Sequence, residues 1–123
     1  MSTEEMTVLY YIANLVLISQ HSLVKIICER NLVFMSKASS IFRANVNRYL
    51  ALCLWRLGCD KEESSDLNDL YKITGLLEES FKEFKKSNCK IGMGIIKFMF
   101  GKLSSSMINK SDESFDGSED FAS

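Results

Sequence analysis

Proline is absent from this 123-residue chain, and glycine occurs only six times. Few helix breakers beside many Leu, Ile, Lys, Glu and Met residues predict an all-helical protein. Histidine is nearly missing too: His21 stands alone, and none of the four cysteines, at 28, 53, 59 and 89, forms a C-x-x-C pair. A zinc site needs ligands gathered from a local framework, which this spacing does not supply. One histidine, no paired carboxylates in an apolar setting, no catalytic triad and no phosphate loop leave no acid–base machinery to assign. The expectation is a non-enzymatic chain that uses no cofactor and no metal. Cys28 and Cys53 are then expected as small core residues, and His21 as a polar residue near a helix start.

Long apolar runs are lacking as well. The longest near the start, Val8 to Ile18, is interrupted by Asn14 and falls short of the about 20 residues a bilayer span needs. Glu4 and Glu5 occupy the place where a signal peptide carries basic residues. The chain is therefore expected to be intracellular, with reduced cysteines, and to have no membrane partner and no small-molecule substrate.

What is present is one domain's length of chain, enough for a single core. Its net charge of −1 averages two unlike parts. From Ser104 on, Asp112, Glu113, Asp116, Glu119 and Asp120 stand against only Lys110, which leaves 14 basic and 11 acidic residues in 1–103. A mildly basic body with an acidic tail is compatible with nucleic-acid contact, though far from the charge of strong sequence-independent DNA binders.

Periodicity predicts a first helix over about 4–18, capped by Thr3, with Met6, Leu9, Tyr10, Ala13, Val16 and Leu17 on its inner side. Ser22 is the expected cap of a second helix, about 23–37, with Leu23, Ile26, Ile27, Val33 and Phe34 along one side. A Ser-rich connection, 36–45, leads into a third helix over about 44–57. There Val46, Tyr49, Leu50, Cys53, Leu54 and Leu57 form one series, and Ala51, Leu52 and Trp55 occupy other sides. A helix apolar nearly all round is the buried central one, and Gly58 is its expected end. A polar loop over 59–65 follows, then a short helix with Leu67, Leu70 and Tyr71, a turn at Gly75, and a charged helix over 78–87. Three readings stay open for 90–103: a last core helix, a partner-docking helix, or a membrane-surface helix. Residues 104–123 read as a disordered acidic tail. The chain is thus a five-to-six-helix bundle, 1–103, followed by that tail.

The piece with the most specific pattern runs from Arg48 to Lys86. Two short helices joined at a glycine form a helix-turn-helix, a topology that lays a helix against nucleic acid. Leu50-Ala51-Leu52-Cys53-Leu54, then Leu70, Tyr71, Ile73, Thr74, Gly75 and Leu76, and finally Ser80 and Phe81 resemble the closing part of a cyclin-type repeat of the transcription factor IIB family. Lys72-Ile73-Thr74-Gly75-Leu76 followed by Glu79-Ser80-Phe81 is most similar to the origin recognition complex subunit six family within that superfamily. The resemblance covers about 4–93 and is specific over about 46–84. Relatives carry two such repeats, whereas this chain has room for one, so contacts that depend on a second repeat do not transfer. The resemblance implies a nuclear, non-enzymatic subunit of a replication-initiation complex, with duplex DNA and other subunits as partners. A transcription initiation factor of the same fold is the alternative, against which the missing zinc ribbon counts. A helical adaptor that never touches DNA is another.

Candidate DNA contacts are Lys72, Lys82, Lys85 and Lys86, with Arg43 and Arg48 as additions. Lysines neutralise phosphate, and no residue except Asn88 is placed to read bases, so weak, salt-sensitive and largely non-specific binding is expected. The competing reading of the lysines is a solvated helix face paired with Glu78, Glu79 and Glu83. Candidate partner-binding residues are Ile95, Ile96, Phe98, Met99 and Phe100.

Overall fold

A computed structural model describes residues 1–33, 37–59 and 67–113, with the backbone alone for 59, 67 and 106–113. Among these residues there are five helices and no strand: α1 (Thr3–Leu17), α2 (His21–Val33), α3 (Ser40–Cys59), α4 (Leu67–Lys86) and α5 (Lys90–Glu113). The all-α bundle predicted from composition is the observed fold. The expected loop at 59–65 lies almost wholly outside the described residues, as do Phe34 and the segment 114–123. The last helix runs to Glu113, past Ser104, where the tail was expected to begin.

α3 is the central helix, and its two sides serve two cores. Phe42, Val46, Leu50 and Cys53 meet Ile12 and Leu15 of α1 and Val24 and Cys28 of α2. On the other side, Ala44 and Ala51 face α4 and join a second core with Ile73, Leu77 and Phe84, against which α5 packs Ile96, Met99 and Leu103. Two alanines seven residues apart lie on the same helix face and let a neighbouring backbone come close. Ser80 uses that proximity: its fully buried hydroxyl donates to the Ala44 carbonyl at 2.6 Å. A buried hydroxyl left without a partner costs about 1–3 kcal/mol, so this bond fixes the α3–α4 register as well as satisfying Ser80.

Helix ends are set by local chemistry. Ser2, rather than Thr3, caps α1 in a capping box: its hydroxyl accepts from the Glu5 N–H, and the Glu5 carboxylate accepts from the Ser2 N–H. The same carboxylate accepts from the Ser39 N–H at 3.0 Å. Ser39 in turn caps α3 by accepting from Phe42 N–H, so α3 begins at Ser40, four residues earlier than its apolar series suggests. One glutamate thereby ties two helix starts together. The Ser2 and Ser39 donors hold its carboxyl below the usual carboxylate value, against the opposing effect of burial.

Both described interhelical turns close in the same way. Ser19 and Asn88 adopt left-handed backbone, with φ of 60° and 54°. Gln20 N–H donates to the Leu15 carbonyl and Cys89 N–H to the Phe84 carbonyl, the Schellman arrangement that ends a helix sharply. α2 then starts at His21, so Ser22 is inside the helix and not its cap. α3 likewise passes Gly58 and runs to Cys59.

One expectation fails in a way that matters for function: there is no turn at Gly75. α4 is a single helix from Leu67 to Lys86. Its inward positions, Leu70, Ile73, Leu77, Ser80, Phe81 and Phe84, keep helical spacing straight through the glycine. Burying that stripe against α3 and α5 outweighs the about 1 kcal/mol that glycine costs inside a helix. Gly75 is exposed, and nothing lies within 4 Å of where a Cβ would stand. The helix-turn-helix read from the sequence is therefore replaced by one amphipathic helix.

The inner faces of α1 and α2 also differ from expectation. Tyr10 and Leu17 are exposed, as are Leu23, Ile26 and Val33, while Ile12, Leu15, Val24 and Cys28 fill the core. α1 carries apolar side chains in unbroken succession from Val8 to Ala13, so several faces satisfy helical spacing equally. Docking against α3, not periodicity, selects among them.

Candidate functional site

The lysines proposed as DNA contacts all project from α4, and Lys72, Lys82, Lys85 and Lys86 are exposed. They do not form one patch. Lys72 stands about 15 Å along the helix axis from Lys82 and lines a cleft of about 470 Å³ between α2, the end of α3 and the start of α4, with Lys25, Ile26, Leu57 and Asp69. Two of the other three have acidic neighbours: Lys82 Nζ lies 3.9 Å from Glu79, and Lys86 Nζ lies 3.7 Å from Glu83. Both pairs are i, i+3 contacts on one helix. The Lys82–Glu79 pair is exposed on both sides and is worth little, whereas Lys86 pairs with a carboxylate that is itself buried.

Arg43 and Arg48 are placed differently. Arg43 reaches from α3 to α4, where Nη2 donates to Glu83 Oε2 at 3.2 Å. Glu83 is only 8 % exposed. Burial alone would raise its carboxyl, but the Ser40 hydroxyl, the Arg43 guanidinium and the Lys86 ammonium outweigh that and hold it below its ordinary value. Arg48 donates to Asn45 Oδ1 at 2.9 Å, and its guanidinium carbon sits 4.2 Å from the Tyr49 ring centroid. Each arginine thus has a structural partner, and the Nε atom of each is buried without one. Asn88, the one candidate base reader, has its backbone in the left-handed turn after α4 and is exposed.

The partner-binding set on α5 divides in two. Ile96 and Met99 are core residues, while Ile95 and Phe100 are half-buried and packed against that core. Phe98 alone of the five faces solvent, joined by Ile91, which sequence reasoning did not select. Their spacing of seven marks one helix face, a signal legible in Lys90 to Lys102 once the core face is known. Lys102 Nζ lies 5.5 Å from the Phe98 ring centroid.

Glu83 and Gly92 are the residues that sequence reasoning undervalued. Glu83 looks like one more surface acid of a charged helix, yet it joins two helices. Gly92 is buried, and a Cβ there would strike the Phe84 ring.

One pair has the composition of a nucleophile and its base: Cys53 Sγ and His21 Nδ1 lie 3.8 Å apart. Burial pushes the Cys53 thiol up to about 11 and the neighbouring Cys28 thiol up to about 12. Neither is a thiolate near neutrality, and both are fully buried, the setting of inert core cysteines and not of nucleophiles. Among the described residues no group of three or more His, Cys, Asp or Glu could hold a metal ion. No described helix is long and apolar enough to cross a membrane.

No protein-family model matches this chain, and neither does any curated protein or solved structure.

Proposed function

We propose that the chain is a non-enzymatic helical subunit of a replication-initiation complex, as its likeness to the origin recognition subunit six family implies. In this reading it docks on other subunits and adds weak phosphate contacts to duplex DNA in the nucleus. The observation that carries the DNA part is the exposed group Lys82, Lys85 and Lys86 near the end of α4, with Lys72 exposed separately toward its start, on the segment where the residue pattern is most specific. A continuous α4 offers no separate recognition helix, and Arg43 and Arg48 are engaged with Glu83 and Asn45. Phosphate attraction without base reading is what such a surface supplies.

Binding to a fluorescent duplex across a salt series tests this directly. With two to four lysines engaged, the log–log slope should be about −2 to −4. Exchange of Lys82, Lys85 and Lys86 for Glu should abolish binding, whereas no binding of the unaltered chain at low salt would overturn the DNA part. Affinity capture from nuclear extract then separates replication subunits from transcription subunits.

A second reading, a helical adaptor that binds protein and never DNA, draws on a specific observation. Lys82 and Lys86 already face Glu79 and Glu83, while Phe98 and Ile91 stand exposed on α5. In that case the charge-reversed variant keeps its protein partner.

A further inference from the structure

The outer side of α1 is a broad apolar face without a charge. Tyr10 and Leu17, 68 % and 80 % exposed, stand seven residues apart on one line of the helix, and Met6 extends that line. Tyr11 and the C-cap residue Ile18 form a second exposed line with the same spacing. Between the two lies a third, made by exposed Thr7 and Asn14. From Met6 to Gln20 the chain has no charged residue. The five large side chains leave about 500–600 Å² in water, the upper end of what the largest patch of an ordinary monomer shows. None of the five belongs to the core, which Ile12 and Leu15 of the same helix fill.

The composition of this face selects its occupant. A helix that lies on a membrane surface carries Lys or Arg beside its apolar side chains, whereas α1 has no basic residue and begins with Glu4 and Glu5. A strongly charged partner finds no counter-charge on it. A copy of the same face meets neither obstacle. Nothing in it repels itself, and the hydroxyl and amide of its middle line each donate and accept, so they bond to their own kind. The exposed row on α5 lacks that property, because Lys90, Lys97 and Lys102 around Ile91 and Phe98 would face one another. We propose that the outer face of α1 is the docking surface for a second copy of this chain, giving a two-fold pair in which α1 packs on α1. Two such faces bury roughly 1,000–1,200 Å², the lower edge of a specific interface. α1 belongs to the first core and α4 and α5 to the second, across α3, so the pair leaves the lysines of α4 uncovered. The proposal is thus independent of whether the chain touches DNA.

Sedimentation equilibrium of the full chain tests it. Loaded from about 1 to 300 µM, the protein should show a monomer–dimer equilibrium with a dissociation constant of about 1–100 µM. Leu17→Lys and Tyr10→Lys should each weaken the dimer about tenfold or more, since a substitution on a two-fold face acts twice. Both side chains are exposed, so the circular dichroism spectrum should not change. Phe98→Asp on α5 should leave the dimer intact, and raising salt until the screening length is about 3 Å should not weaken it. A chain that stays monomeric at the highest loading, or a dimer unmoved by both α1 substitutions, overturns the proposal. A dimer lost in Phe98→Asp or dissolved by salt overturns it too, and moves the contact to the lysine-bearing helices.

Discussion

The two sides of α3 solve the same packing problem by different means. Toward α1 and α2 the contact is made by bulky apolar side chains, Phe42, Val46 and Leu50 among them. Toward α4 and α5 the fully buried α3 residues are small, Ala44 and Ala51, which admit the neighbour's backbone, with Leu52, Leu54 and Trp55 packed partly buried around them. The second side adds directional bonds inside the contact, Ser80 to Ala44 and Arg43 to Glu83. The first side places its one comparable tie, Glu5 to Ser39, at the helix starts. Bulky apolar contacts tolerate sliding and repacking, whereas close approach and buried polar bonds specify a single register. The α3–α5 half is thus the more tightly specified, and it positions both candidate surfaces.

Because α3 belongs to both cores, the halves are expected to unfold together. Ile12→Ala in the first core and Leu77→Ala in the second should each cost about 2–5 kcal/mol. Each should shift one cooperative transition, followed by denaturant titration with Trp55 fluorescence and helical circular dichroism. If Ile12→Ala splits the transition and leaves the Trp55 signal in place, the halves are separate folding units and the shared helix does not couple them.

The difference in tightness is sharper at glycine. Gly92→Ala should destabilise by about 1–3 kcal/mol, because its Cβ collides with Phe84. Gly101→Ala, on the open side of the same helix, should stabilise by up to about 1 kcal/mol. Equal effects in thermal denaturation would mean that the α4–α5 contact is looser than the geometry shows.

Much of this arrangement is legible in the order of the amino acids. The series from Val46 to Leu57, with Ala51 and Trp55 on other sides, identifies the central helix because only a helix buried on two sides is apolar all round. The lysines of α4 read correctly as exposed, since Phe81 and Phe84 fix the inner face. Other features are hidden for physical reasons. The inner faces of α1 and α2 cannot be chosen by periodicity when apolar residues run on consecutively. Gly75 punctuates a local pattern, but packing of Ile73 and Leu77 on either side of it decides the outcome. Arg43 and Glu83 lie 40 residues apart, and no local rule joins them.

The Arg43–Glu83 link also gives the second half a pH signature. Glu83 titrates below its ordinary value of 4.5 in the folded protein. A lowered folded value stabilises above the unfolded value, and that stability is lost as pH falls from about 4.5 through the folded value. Glu83→Gln should therefore cost about 1–2 kcal/mol near neutrality, and the gap to the unaltered protein should close on acidification below pH 4.5. Urea titrations at pH 7 and at acid pH check this, and a gap that stays constant would remove the ion pair from the second half's specification.

The continuity of α4 decides whether the lysines stand on one amphipathic helix or on the second arm of a helix-turn-helix, and Gly75→Ala measures it most directly. In a continuous helix with open space around the Cβ position, alanine should raise stability by about 0.5–1 kcal/mol in denaturant titration. A loss of stability of about 1 kcal/mol or more would place Gly75 in left-handed backbone that alanine does not tolerate. That result would contradict the single helix and restore the turn.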